Sequence, residues 1–304
     1  MLANLKSVLA KANKKNYAVG AFNINDLEIL EAIISAAEKQ KSPVIVQTTE
    51  GAIEYAGVEE LCAMMRTAAK MAKVPVVIHL DHGKDLKLIK KCIDIGYTSV
   101  MFDGSHYDYE TNVKLTKKVV GWAHKKGVSV EAELGTIGGA EDKVSSRQII
   151  LTDPKVAVDF VKRTGVDALA IAIGTSHGAY KFAGKAKLDI KRLKEIKKKL
   201  NMPLVLHGAS GVPKEIVKKA TKYGGKFGAM EGVPESQIKL AVKNGINKIN
   251  TDTDLRLAFT AGVREVLSKE KGVFDPRKIL GPAKVEIQKV VEHRMKLFGS
   301  SGKG

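Results

Sequence analysis

Three histidines of this 304-residue chain, His82, His177 and His207, fall where short apolar segments give way to polar loops. Asp81, Asp103 and Glu133 occupy equivalent places. Imidazoles and carboxylates are costly to desolvate, so at such positions they need partners or a task. Three imidazoles converging from separate strands make an open tripod, the ligand set of a catalytic zinc ion with a free position. No HExxH motif supports this, so the argument is topological and requires the segments to be strands ending at one rim. Taken singly, each histidine is equally well a loop residue with a local hydrogen bond, and Asp81 a helix cap. Of the other four histidines, His79 lies within a strand, His124 and His293 lie on helices, and His106 follows a strand. These four read as structural or surface residues.

Strand and helix signals alternate along the chain. Strand-like runs fall at 17–24, 42–49, 75–83, 98–105, 129–135, 167–174, 203–210 and 247–253. Helical patterns begin at Asp26, where Leu27, Leu30, Ile34 and Ala37 share one face. They recur over 58–72, 85–95, 109–126, 189–200, from Pro213, and over 254–269. The strands are short apolar runs without strict alternation, as in a parallel sheet covered by helices. Eight βα units in about 250 residues predict a (β/α)8 TIM barrel. A doubly wound open sheet is the runner-up, weakened by the lack of Gly-x-Gly-x-x-Gly after the first strand. The chain reads as a single barrel domain, residues 1–304, with 281–298 as an additional C-terminal helix.

In such a barrel, catalytic groups come from the C-terminal ends of several strands. Read that way, the ends present Asn23, Thr49, Asp81-His82, Asp103, Glu133, the Gly174–Gly178 segment with His177, His207–Gly211, and Asn250–Thr253. The HGASG turn offers backbone N–H groups just before a helix, a setting that suits phosphate, and NTDT with Lys181 can complete it. The polar stretch 138–148 is a βα loop at that face and a candidate lid.

Composition narrows the field. The net charge is +18, from 51 Lys+Arg against 33 Asp+Glu, and aromatics are 5%. The lysines sit on helix faces, with no aromatics interleaved as stacking platforms, so a solvated surface is favoured over nucleic-acid binding. The positive field still suits an anionic small molecule. No apolar run approaches the roughly 18 residues of a membrane span. The first residues read as an amphipathic helix and not a signal peptide. The two cysteines, Cys62 and Cys92, have no CxxC spacing. A cytoplasmic protein without disulfides is expected.

The motifs HLDHG, VEAELG and NTDTDLR, in this order and within a match running from YAVGAFNIND to FDPRKILGPA, resemble the class II, metal-dependent fructose-bisphosphate aldolases. The resemblance implies a catalytic zinc on His82, His177 and His207, with Asp103 and Glu133 at a second metal position. It implies that Asp81 is the acid/base beside the zinc. Glu141 would be the mobile-loop carboxylate that handles the dihydroxyacetone phosphate proton; some relatives have two glutamates in this loop, and here Ala140 replaces the first, so Glu141 would carry the role alone. Gly178, Lys181, Gly208, Ala209, Ser210, Asn250, Thr251, Asp252 and Thr253 correspond to the ketose-phosphate site. Asn23 and Thr49 would line the substrate cavity, and Arg256 and Arg277 would meet the distal phosphate. A monovalent cation (Na+ or K+), sugar bisphosphate and triose phosphate substrates, and a homodimer or homotetramer complete the implied picture.

The implied reaction is reversible cleavage of fructose 1,6-bisphosphate to dihydroxyacetone phosphate and glyceraldehyde 3-phosphate. A zinc ion bearing the developing charge makes a Schiff-base lysine unnecessary. A tagatose-bisphosphate aldolase is the near rival and a zinc hydrolase on a barrel the distant one. The hydrolase would not need the phosphate sites after strands seven and eight. A basic nucleic-acid-binding protein would leave the rim histidines unexplained.

Overall fold

The apolar runs become parallel strands because each is covered twice, by helices outside and by neighbouring side chains inside. The computed structural model describes residues 1–141, 144–146, 149–178, 187–227 and 230–304, with Ala140, Glu141, 144–146 and His177 described by backbone alone. The chain begins with β1 (Leu2–Ala3), α1 (Leu5–Lys15), β2 (Val19–Asn23), α2 (Leu27–Gln40), β3 (Val44–Thr48), α3 (Glu50–Ala56) and α4 (Val58–Met71). It continues through β4 (Val76–Gly83), α5 (Leu86–Ile95), β5 (Ser99–Phe102), α6 (Tyr109–His124) and β6 (Ser129–Leu134). Next come β7 (Gly138–Glu141), β8 (Val144–Ser146), α7 (Pro154–Thr164), β9 (Ala168–Ile171), β10 (Ser176–His177) and α8 (Ile190–Leu200). The last elements are β11 (Leu204–Leu206), α9 (Lys214–Lys222), α10 (Glu235–Lys243), β12 (Ile246–Thr251), α11 (Thr253–Lys269) and α12 (Pro276–Phe298).

Eight parallel strands, in the order β4-β3-β2-β12-β11-β9-β6-β5, close by pairing β5 back onto β4. This is the expected (β/α)8 barrel. Side chains alternate across its wall. In β4, Val76, Ile78 and Leu80 join the core beneath the helices, while Val77 joins an inner cluster with Val19, Ala21, Ile45, Ala168, Ala170 and Val205. Helix α1 closes the strand-start end of the barrel, inserting Leu5, Val8, Leu9 and Ala12 into that inner cluster. Burying each of those leucines contributes roughly 1.5–3 kcal/mol. The opposite end is left to polar groups.

Three details correct the sequence reading. The strand-like runs at 129–135 and 167–174 are joined by a helix absent from the predicted pattern, α7. Asp153 caps it through Lys155 and Val156 N–H, Pro154 opens it and Gly165 ends it; these are ordinary boundary signals. Helix α2 is rotated from the expected face: Ile29, Leu30, Ile33, Ala36 and Ala37 are buried, whereas Leu27 is exposed and Ile34 only partly covered. The stripe that packs on the barrel is broader than a single row. The C-terminal helix starts at Pro276, capped by Asp275, and carries Pro282 inside it. Among the described residues no helix is long and apolar enough to cross a membrane.

Candidate active site at the strand-end rim

The inward positions form two polar layers above the apolar plug. The deeper layer contains Gln47, His79, Ser99, Glu131 and Lys248, all wholly buried. His79 Nδ1 lies 2.8 Å from Ser99 Oγ, and Lys248 Nζ lies 2.8 Å from Glu131 Oε2 and 3.5 Å from His79 Nε2. Burial and the Lys248 ammonium hold the His79 pKa well below its ordinary value, so this ring is neutral.

The upper layer carries the predicted residues. Asp81 is buried and is held by three side-chain amides. Asn23 donates to Oδ2 at 3.1 Å, Gln47 to Oδ2 at 3.0 Å, and Asn250 to Oδ1 at 2.9 Å. Burial opposes its ionisation, yet His82, Lys248 and His207 together hold its pKa below the usual value. The next residue, His82, has φ +49°, in the left-handed region. A non-glycine residue there is uncommon and is found at sites where surroundings impose it. The strain turns the ring so that Nδ1 lies 2.8 Å from Asp103 Oδ2. Asp103 is itself steadied by the Ser105 N–H and hydroxyl.

His82 and His207 meet across the rim. His207 Nδ1 lies 2.9 Å from His82 Nε2, and His207 Nε2 lies 2.8 Å from Glu131 Oε1. If each outer nitrogen donates to its carboxylate, the two inner nitrogens face each other as lone pairs. Two lone pairs at that distance require a proton or a cation between them. The charge balance agrees: burial alone would lower the His82 pKa, but Asp81, Asp103 and Glu133 outweigh it and raise it to about 10. Glu133 is pushed well above its ordinary pKa by burial and by Asp103, with Oε2 only 3.4 Å from His207 Nδ1. Two metal-type clusters result, Asp81–His82–His207 and His82–Asp103–Glu133. Imidazole backed by carboxylate is the arrangement that holds a divalent ion, so the donor set fits one.

Not every expected residue is placed. The side chains of His177 and Glu141, and Lys181 altogether, lie outside the described residues. The backbone of Ser176–His177 pairs with Gly138–Gly139 of β7. It also lies against the turn after β11, since a Cβ on Gly208 would come within 2.7 Å of the Ser176 carbonyl oxygen. Ala209 and Ser210 are buried in that turn, and Val212 takes φ +49°, a real outlier for a β-branched residue. At the next strand end, Asn250 and Thr251 are buried, and Asp252 begins α11 with no side-chain cap bond. Gln47 Oε1, Thr175 Oγ1, Asn250 Oδ1 and Thr251 Oγ1 are buried with no hydrogen-bond partner among the described residues. Buried polar atoms are ordinarily hydrogen-bonded, so these four can still accept or donate to a bound group.

Thr49 caps α3 through the Ala52 N–H. Arg256 makes a two-point contact with Asp252, at 2.8 and 2.7 Å. Arg277 is exposed and pairs with Asp275, away from the rim groups in every described contact. Gln47, Glu131 and Lys248 are site residues that motif reading missed. Their signal was phase: each stands two positions before a rim residue, Glu133 on β6, Asn250 on β12 and Thr49 one residue past the end of β3.

The match to a family decides the identity. Residues 3–303 fit the model described as fructose-bisphosphate aldolase class-II. The chain belongs to the class II fructose-bisphosphate aldolase family. It is a metal-dependent carbon–carbon lyase of that family. It is similar to the fructose-bisphosphate aldolase of Thermus caldophilus, 51% identical over the whole of both chains. The fructose-bisphosphate aldolase of Helicobacter pylori strain 26695 is 48% identical, again over the whole of both. Among solved structures, the YdjI aldolase of Escherichia coli K12 aligns with a TM-score of 0.83 at 34% identity, covering 100% of this chain and 99% of that one.

Proposed function

We propose that this rim performs the aldol cleavage for which the family is named, on fructose 1,6-bisphosphate, with Asp81 as acid/base. The observation that carries the assignment is Asp81 fixed by three amides beside the facing nitrogens of His82 and His207. His82, His207 and His177 would hold the metal, which we read as zinc, and Asp103 and Glu133 a second position. When bound, the ion supplies Lewis-acid stabilisation of charge building on the ketose oxygens.

Asp81 takes the proton of the C4 hydroxyl as the C3–C4 bond breaks. C4 leaves as the aldehyde of glyceraldehyde 3-phosphate, and the bonding electrons stay with the ketose half. Glu141 returns a proton to the former C3, giving dihydroxyacetone phosphate. The turn Gly208–Ser210 and the Asn250–Thr253 junction offer N–H and hydroxyl donors to the ketose phosphate, with the α11 N-terminus behind them. Arg256 serves the distal phosphate. We read the assembly as a homodimer or homotetramer in the cytoplasm, in keeping with free, buried Cys62 and Cys92.

The test is cleavage of fructose 1,6-bisphosphate and its C4 epimer, tagatose 1,6-bisphosphate, before and after dialysis against a chelator. Fructose bisphosphate cleavage that disappears on chelation and returns with zinc supports the reading. Undiminished cleavage by metal-stripped protein overturns it, and preference for the epimer reassigns the substrate.

A further inference from the structure

We propose that Asp254 and Arg294 form a latch that positions the phosphate-binding turn, making the C-terminal helix a determinant of affinity for the phosphorylated ketose. The inference rests on the reading of Gly208–Ser210 as phosphate donors. Asp254 lies in the first turn of α11, two residues beyond Asp252, and is wholly buried. It reaches across to the end of the other half of the phosphate cradle. Its Oδ2 accepts from the Gly211 N–H at 3.2 Å and its Oδ1 from the Val212 N–H at 2.8 Å. Arg294, from α12, donates to Asp254 Oδ2 through Nε at 3.0 Å and Nη2 at 2.6 Å.

The guanidinium also packs closely against the turn. A Cβ on Gly211 would fall 2.2 Å from Arg294 Nη2, so only glycine admits this approach. Val212 is held at positive φ one residue later. An unfavourable backbone conformation persists only where its surroundings over-determine it, and the Asp254 carboxylate supplies that constraint. A buried ion pair contributes little net stability over an apolar pair of similar shape. What this pair contributes is register: it ties the turn after β11 to the start of α11, so both sets of donors converge on one anion. Asp254 and Arg294 are positioning residues; neither touches substrate.

The test measures dihydroxyacetone phosphate binding to metal-loaded protein by calorimetry, alongside steady-state cleavage. Asp254→Asn should raise the dissociation constant and KM by about tenfold or more, the range of one charge-assisted hydrogen bond, with kcat within about threefold and metal content unchanged. Arg294→Lys keeps the charge but loses the fork, should act in the same direction more weakly, and carries the test if Asp254→Asn does not fold. Val291→Ala, a core truncation on the same helix, controls for instability: it should lower the melting temperature and leave affinity unchanged. Wild-type affinity in folded latch variants, or an equal loss in Val291→Ala, overturns the latch. Ser210→Ala separates the two readings. If it too leaves affinity unchanged, the turn does not bind the phosphate and the underlying assignment fails; if it weakens binding while the latch variants do not, only the latch fails.

Discussion

His207 presents Nδ1 to His82 because Glu131 holds its Nε2 at 2.8 Å, and Glu131 is in turn held by the Lys248 ammonium at 2.8 Å. The chain Lys248–Glu131–His207 runs entirely through the barrel interior, where all three residues are fully buried. A carboxylate behind an imidazole sets its tautomer and raises its basicity as a ligand.

Glu131→Gln should therefore weaken metal binding by roughly 10–100-fold, the usual loss when such a partner is changed. Competition with a metal-buffering chelator measures it. Metal affinity equal to wild type, in folded protein, would show that His207 does not depend on Glu131.

Asp81→Asn keeps the shape of the side chain and removes the base. It should lower kcat by ~10²–10⁴ while metal content stays at the wild-type level. Metal analysis with single-turnover cleavage checks both halves; retained turnover would move the proton transfer to another group.

Proton and metal compete for the same lone pairs. His82 has a folded pKa of about 10 against an ordinary value of 6.5. A raised folded value means its contribution to the metal-free fold is complete below pH 6.5 and lost as pH rises through about 10. Glu133, also raised, acts with the same sign. Melting temperatures of chelator-stripped protein should fall over that window, and apparent metal affinity should climb with pH. A melting temperature that stays level from pH 6.5 to 10 without metal would remove the basis for the His82–carboxylate account.

Arg256 is half-exposed, and its two contacts to Asp252 neutralise a charge beside the ketose-phosphate donors. Arg256→Ala should lower kcat/KM for fructose 1,6-bisphosphate more than for fructose 1-phosphate, since an arginine fork is a strong phosphate partner. Equal losses on the two substrates would instead assign it to the ketose end, acting through Asp252. Added salt should lower kcat/KM where encounter contributes to the rate, because the +18 charge draws in an anionic substrate.

Much of this was legible in the residues themselves. Alternating βα signals specified the barrel, because two-sided burial writes a continuous apolar run and each such run ends where the chain meets solvent. Reading those ends found Asp81, His82, Asp103, Glu133 and His207, and the structure brings these five together. The α2 face and the missed α7 show the limit of that reading. Periodicity identifies an apolar stripe, but its width depends on what packs against it.

What the tertiary structure alone decided is which polar groups meet. His207 finds His82 from 125 positions away, Asn250 finds Asp81 from 169, and Arg294 finds Asp254 from 40. Gln47 and Lys248 lie outside the motifs, and Glu131 lies within VEAELG two positions before the rim residue Glu133; on sequence all three are polar residues interrupting strands. Their roles follow from barrel closure, which sets eight strands in register around one axis and turns every second side chain inward. Local chemistry determines where a strand or a cap forms. A hydrogen bond between distant side chains depends on that closure, and in the low-dielectric interior it then sets tautomer and charge, because an unpaired buried group is too costly to leave.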